Sequence, residues 1–203
     1  MPRRLIEPEF EHKAWQITGV SRFMDTGDWQ HTVDSGILLQ LHGGCIRELT
    51  SNTGPLRGGN IDWRFSTLWE ALQTKYTVGA GCRLQTLGKL SIGKPGKPFP
   101  ELKCKSAVSR HLVLPMLLLL QDFGIHCERD GHRMRVYELM YEISEIVWGQ
   151  GLYLSESSAL RLLEAYDLIL LHYNSLIALT RDDNTYKFTT KWHYAWYLLI
   201  YDL

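Results

Sequence analysis

The chain has few cysteines. Only four occur among its 203 residues, and they are widely spaced, at Cys45, Cys82, Cys104 and Cys127. A disulfide framework in a domain of this size would need more cysteines than this. We therefore interpret all four as reduced thiols and expect a soluble, intracellular protein, either cytoplasmic or nuclear.

Long apolar runs are also missing. The longest, Leu112–Leu120, has nine residues and contains Pro115, so it is too short to cross a bilayer. The first ten residues, MPRRLIEPEF, lack the apolar core of a secretory signal. If such a protein meets a membrane, we expect it to do so at the periphery.

No low-complexity tract or internal repeat divides the chain. With 45% hydrophobic and 22% charged residues, a chain of this length can bury a core without a disulfide or a metal. The sequence therefore predicts a single domain over residues 1–203. The one place for a subdivision is 94–106, near a basic loop rich in glycine and proline.

Neither sign of charge is in excess over the whole chain, but the charges are unevenly distributed. Residues 75–110 carry eight basic side chains against Glu101 alone, a net charge of +7. Residues 136–183 carry eight acidic side chains against Arg161 and Arg181, a net charge of −6. If these segments occupy separate regions of the surface, one side of the protein attracts anions. If they lie side by side, they neutralise one another.

Turn-forming residues predict an α+β fold. Apolar stretches within residues 10–50 are separated by Asp34-Ser35-Gly36 and by His42-Gly43-Gly44, a pattern typical of an antiparallel meander. Asp130-Gly131 predicts a hairpin in the middle of the chain, and Asp182-Asp183-Asn184 predicts a late β-hairpin.

Helices are predicted mainly in the C-terminal half. One helix is expected around the Thr67 and Glu70 capping box, and another from Pro115 to Phe123 after extended chain. Apolar spacing predicts helices at 138–148 and, most clearly, at 157–173. The aromatic tail from residue 191 is expected to dock on the body of the protein.

No stretch matches a catalytic or cofactor motif. The sequence has neither a phosphate loop nor a dinucleotide fingerprint. Candidate metal ligands between residues 104 and 132 have spacings that fit no zinc module, and they are Cys104, His111, His126, Cys127 and His132. We expect no metal and no cofactor, and a zinc-dependent module stays open only as a third possibility. A small cysteine-dependent hydrolase or transferase stays open as an alternative, with Cys45 or Cys82 activated by a histidine.

A winged-helix module is a second alternative. Its order of helices followed by a two-stranded hairpin matches the predicted elements in outline. The helix that would enter the DNA groove carries Glu164 and Asp167 against only Arg161, and the wing tip carries two aspartates. Phosphate would repel such a surface, so this module would serve protein contacts rather than DNA reading.

The run Tyr76 to Arg83 (YTVGAGCR), continuing to Lys89-Leu90 and Gly93, resembles a stretch of rhabdovirus matrix proteins. Those are assembly proteins that coat a nucleocapsid and a membrane. The resemblance covers 18 of the 203 residues, and the chain has neither a PPxY motif nor a lysine-rich N-terminal tail. It implies a matrix-like assembly role without assigning the chain to that family.

The leading hypothesis is a non-enzymatic assembly or interaction protein. Its basic central segment would contact nucleic acid or an acidic membrane, and its acidic C-terminal half would contact a protein partner or another copy of the chain. The residues predicted to bind the anionic surface are Arg83, Lys89, Lys94, Lys97, Lys103, Lys105 and Arg110.

Overall fold

A computed structural model describes residues 29–76, 82–92, 99–149 and 154–201. Over these residues the protein is 74% helical and contains no strand. The predicted α+β class is therefore wrong, and the described part of the fold is all-α.

The chain forms six α-helices within the described ranges. A π-helical segment, Gln30–Ile37, runs directly into the first of them. The helices are α1 (Leu38–Leu49), α2 (Ile61–Gln73), α3 (Ser106–Phe123), α4 (Glu128–Gly149), α5 (Glu156–Leu179) and α6 (Thr190–Tyr201). Short 3₁₀ turns occur at Lys89–Ile92 and Arg181–Asp183.

The predicted N-terminal meander is wrong where it can be compared, since residues 30–49 are helical and residues 10–28 lie outside the described part. The glycines that suggested a turn are sites of close packing. A Cβ on Gly43 would lie 2.7 Å from the Glu101 backbone, and one on Gly44 would lie 2.4 Å from the Tyr186 ring. Glycine here lets other parts of the chain approach α1 closely.

Both predicted hairpins are also wrong. Asp130 lies in the first turn of α4, where its Oδ2 accepts hydrogen bonds from the backbone N–H groups of His126 and Cys127. It therefore caps a helix instead of opening a β-turn. Near the C-terminus, α5 continues to Leu179 and the two aspartates form a 3₁₀ turn that ends at Asn184, which has φ of 49°.

The helix predicted from Pro115 begins earlier, at Ser106, so the extended chain expected before it is helical. A proline inside a helix removes one backbone hydrogen bond. Burial of the apolar face offsets this cost, since Leu112, Met116 and Leu119 are almost completely buried on either side of Pro115.

The remaining helices are confirmed in position but not in length. The predicted 138–148 segment is the second half of α4, and the 157–173 segment lies within α5. Ser155 caps α5, because its hydroxyl accepts a hydrogen bond from Ser158 N–H. The helix around Thr67 begins at Ile61, where Asn60 Oδ1 accepts a hydrogen bond from Trp63 N–H.

The core lies between α1, α3 and α4, with α5 packed along α4 and α6 packed against the π-helical segment. The aromatic tail docks as predicted within the described residues. Trp192 is buried, and its ring centroid lies 4.2 Å from that of Tyr173. The hydroxyl of Tyr166 donates a hydrogen bond to the Trp192 carbonyl, which ties α6 to α5.

Helix α5 is long and apolar enough to cross a membrane, judged by length and composition alone. Its most apolar window has a mean hydropathy of 1.2 and is 33% buried. The core helix of a soluble protein passes the same test. In this fold the inner face of α5 buries Leu162, Tyr166, Ile169 and Tyr173.

Candidate anionic-surface interface

The basic central segment has two described parts, residues 89–92 and 99–105, which we call its stems. Backbone hydrogen bonds hold the two stems together. Lys103 N–H donates to the Ser91 carbonyl at 2.7 Å, and Glu101 N–H donates to the Ile92 carbonyl at 3.3 Å. Leu102 N–H donates to the Leu39 carbonyl at 2.8 Å and so anchors the pair on α1. Lys94 and Lys97 fall between the stems in sequence and lie outside the described residues.

The lysines on these stems are exposed. Lys103 and Lys105 face solvent, and neither forms an ion pair with another described residue. Lys89, on the other stem, lies with its Nζ 3.0 Å from Asp62 Oδ2, and both side chains are at least half exposed. Exposed ion pairs contribute little to stability, so Lys89 can exchange this partner for another anion at small cost.

The two predicted arginines instead contact their own chain. The guanidinium of Arg83 lies 5.6 Å from the centre of the Tyr76 ring. Arg110 lies 4.1 Å from the centre of the Trp148 ring and 3.5 Å from the carboxylate of Asp34. Asp34 is nearly inaccessible, and burial raises its pKa to about 7 although Arg110 acts in the opposite direction.

Sequence reasoning missed two exposed apolar residues beside the stems. Trp63 is 49% exposed and Leu90 is 69% exposed. Each is the sequence neighbour of one member of the Asp62 to Lys89 ion pair, and the 3₁₀ turn with Leu90 packs against α2. The exposure of Leu90 could have been predicted, because Leu90 follows Lys89 in a short polar stretch with too few apolar residues to bury it. Nothing in the sequence around Trp63 predicts that its side chain is exposed.

The basic and acidic segments do not neutralise each other through direct ion pairs in the described part of the chain. Among the described residues no ion pair joins 75–110 to 136–183. The acids of α4 and α5 pair with arginines of the same two helices, since Arg161 contacts both Glu142 and Glu164, and Arg135 contacts Glu138. The segments do meet at a cleft of about 220 Å³, whose lining includes Lys75, Arg110 and Glu145.

A second cleft, of about 660 Å³, lies over a buried ion-pair network. Arg133 Nη1 donates to Glu48 Oε2 at 2.6 Å, and Tyr186 OH donates to the same oxygen at 2.7 Å. Arg129 Nε lies 3.0 Å from the other Glu48 oxygen, and Arg133 also contacts Asp130. The network joins α1 to α4 and to the segment before α6, and within it Glu48 Oε1 and Arg133 Nε are buried without a hydrogen-bond partner among the described residues.

Cys45 and His42, three residues apart in α1, do not form a nucleophile and base. Cys45 is fully buried, which raises the pKa of its thiol to about 12. His42 Nε2 donates to the Ser109 carbonyl at 2.9 Å, and its Nδ1 accepts from Tyr137 OH at 2.8 Å. Burial lowers the pKa of His42 to about 4, so it is neutral at physiological pH. A catalytic thiol needs the opposite environment.

The other candidate ligands are dispersed. Cys127 Sγ donates to Asp130 Oδ2 at 3.2 Å, and His126 Nε2 contacts the Phe123 carbonyl at 2.6 Å. His132 pairs with His172 of α5, with their Nδ1 atoms 2.8 Å apart. Burial raises the pKa of Cys104 to about 11, and Cys82 is partly buried. Within the described ranges no three such side chains converge.

Comparison of the chain with protein-family models, with curated proteins and with solved structures found no match in any of the three. The short resemblance to rhabdovirus matrix proteins therefore gains no support from them.

Proposed function

We propose that this protein is a non-enzymatic interaction protein that binds an anionic surface through the stems of its basic segment. The observation that carries the proposal is the backbone hydrogen bond from Lys103 to Ser91, which holds the stem that carries Lys89 beside the stem that carries Lys103. Five lysines between residues 89 and 105 stand against Glu101 alone, so the field of this region attracts phosphate and carboxylate groups. Arg83 and Arg110 contact their own chain, and we leave them out of the proposed contact.

The choice of residue type supports diffuse attraction over specific recognition. Lysine offers a mobile point charge, whereas bidentate recognition of a defined phosphate usually employs arginine. The Cys45 thiol and the His42 ring do not compete with this function, because both are buried in neutral form.

Salt titration of polyanion binding tests the proposal. We expect binding to heparin or to a single-stranded oligonucleotide to weaken steeply as salt rises. Lys103→Glu and Lys105→Glu should each lower affinity at low salt and reduce the salt slope by about one unit or more. Arg181→Glu is the matched control, since Arg181 is exposed in the acidic segment and makes no described ion pair. Equal effects of all three substitutions, or binding that ignores salt, would refute the proposal.

Self-association is the second part of this proposal. Leu160 and Leu171 are exposed and lie about three turns apart, on one face of α5. Glu164 and Asp167 are exposed between them, with charge opposite to that of the lysine stems. A second copy could therefore meet this face both through apolar contact and through its basic segment. Sedimentation velocity should show association that weakens with salt and with Leu171→Ser, and a salt-independent monomer would count against it.

A further inference from the structure

Trp63 and Leu90 are exposed apolar residues on two elements, α2 and the 3₁₀ turn at Lys89–Ile92, which pack against each other beside the lysine stems. The ion pair between Lys89 and Asp62 joins the two elements that carry them, at 3.0 Å between Nζ and Oδ2. Both side chains are large, exposed and next to the most basic part of the chain. Exposed apolar residues beside a lysine-rich segment are complementary to a surface that is anionic outside and apolar beneath.

The position of the Trp63 ring is fixed by the loop before it. Gly59 has φ of 61°, and a Cβ there would lie 2.7 Å from the indole. The ring therefore packs against the backbone of Gly59, in space that the side chain of any other residue at position 59 would occupy. Asn60 holds the backbone of Trp63 through its side-chain oxygen. Packing against the Gly59 backbone restricts the indole at the surface, which lowers the entropy cost of binding.

These features favour lipid over nucleic acid. Tryptophan has the amphipathic ring that proteins place at the boundary between headgroups and acyl chains. Leu90 offers neither a ring for base stacking nor a hydrogen-bonding group for a base edge, whereas an apolar side chain is stabilised among acyl chains. Lysines around it can extend their charges to the headgroups while their methylene stems lie along the apolar layer.

We infer that the anionic surface is an acidic lipid bilayer, with Trp63 and Leu90 inserted at its interface and Lys89, Lys103 and Lys105 placed among the headgroups. This inference rests on the proposed function and names its partner. Each lysine near an acidic bilayer contributes on the order of fivefold in affinity. Insertion of Trp63 and Leu90 adds a part of the affinity that salt does not screen.

Co-sedimentation with vesicles tests the inference. We expect binding to phosphatidylcholine vesicles that contain phosphatidylserine and much weaker binding to pure phosphatidylcholine. Trp63→Ser and Leu90→Ser should each reduce binding to the acidic vesicles by about tenfold and leave oligonucleotide binding unchanged. The matched controls are Trp148→Ser, which removes a 52% exposed tryptophan, and Ile125→Ser, which removes a 60% exposed side chain. Both should bind like wild type, and far-UV circular dichroism should show every variant folded.

The outcomes separate the inference from the proposal beneath it. Oligonucleotide binding without vesicle binding would overturn the bilayer inference and leave the anionic-surface function in place, whereas binding to neither probe would overturn both. A second readout is tryptophan quenching by lipids brominated in their acyl chains. Quenching should be largely lost in Trp63→Phe and retained in Trp148→Phe, and the same quenching in both variants would overturn the insertion of Trp63.

Discussion

Lys89 Nζ lies 3.0 Å from Asp62 Oδ2, in an exposed ion pair that joins the two elements carrying Leu90 and Trp63. Because Asp62 offsets one positive charge of the proposed contact surface, it should weaken attraction to anions. The pair is open to solvent, so it contributes little to the free energy of unfolding.

Asp62→Asn should therefore strengthen binding to acidic vesicles. We expect a several-fold gain at low salt that shrinks as salt rises, with little change in thermal stability. Vesicle co-sedimentation at two salt concentrations measures this. Glu164→Gln is the control, since Glu164 is also exposed and paired but lies in the acidic segment. A gain of the same size from Glu164→Gln would show that only net charge matters.

The buried ion-pair network should be critical for folding. Glu48→Ala leaves the guanidinium of Arg133 buried with only Asp130 as a described carboxylate partner, which should cost about 3 to 5 kcal/mol of unfolding free energy. Urea denaturation measures the loss. The double variant Glu48→Leu with Arg133→Met should recover part of it, because no charge then remains without its partner. A double variant as unstable as the single one would contradict this account.

Asp34 should make stability depend on pH. Its pKa is raised from 3.8 to about 7 in the folded protein. The contribution of Asp34 to the free energy of unfolding is therefore complete below pH 4, falls as the pH rises, and is lost once the pH has passed 7. Asp34→Asn cannot ionise, so its stability relative to wild type should increase by about 2 to 3 kcal/mol between pH 5 and pH 8. Urea titrations at both pH values measure the difference.

Stability must be compared between wild type and Asp34→Asn at each pH, because His42 changes the stability of both in the opposite direction to Asp34. Its pKa falls to about 4 in the folded state, so wild type also loses stability as the pH falls from 6.5 toward 4. The His42 contribution is shared by wild type and Asp34→Asn and cancels in their difference. A difference that stays constant from pH 5 to pH 8 would mean that Asp34 keeps an ordinary pKa.

The thiols should react in the order of their exposure. Cys127 is exposed and should be alkylated first, whereas Cys45 is buried with its pKa raised to about 12 and should react only after unfolding. Mass spectrometry after timed iodoacetamide treatment, with and without urea, gives the order. Rapid modification of Cys45 in the folded protein would revive the cysteine-dependent enzyme as an alternative.

The sequence predicted helices well where an apolar stripe was long, and it failed where glycine or aspartate was interpreted as a turn. Gly43 and Gly44 lie inside α1 rather than in a turn. Without side chains they leave room for the Glu101 backbone and the Tyr186 ring, which come from distant parts of the chain. Asp130 could equally open a turn or cap a helix, and in the fold its Oδ2 caps α4 by accepting hydrogen bonds from His126 and Cys127 N–H. The sequence pattern alone does not distinguish the two.

The candidate site was predictable in charge but not in shape. The lysine-rich stretch is visible in the sequence, yet the alignment of Lys103 with Ser91 depends on backbone bonds across the intervening loop. The inward contacts of Arg110 with Asp34 and Trp148 join residues far apart in the chain, so spacing could not have separated this arginine from the exposed lysines. The position of Trp63 beside the stems depends likewise on a long-range contact, the ion pair of its neighbour Asp62 with Lys89.

Lysine footprinting tests the central claim most directly. The protein would be acetylated with a water-soluble reagent, free and bound to phosphatidylserine vesicles, and each lysine followed by mass spectrometry. We predict that binding protects Lys89, Lys103 and Lys105 and leaves Lys75 and Lys191 as reactive as before. Protection spread evenly over all lysines, or confined to Lys75 and Lys191, would contradict the assignment of this surface.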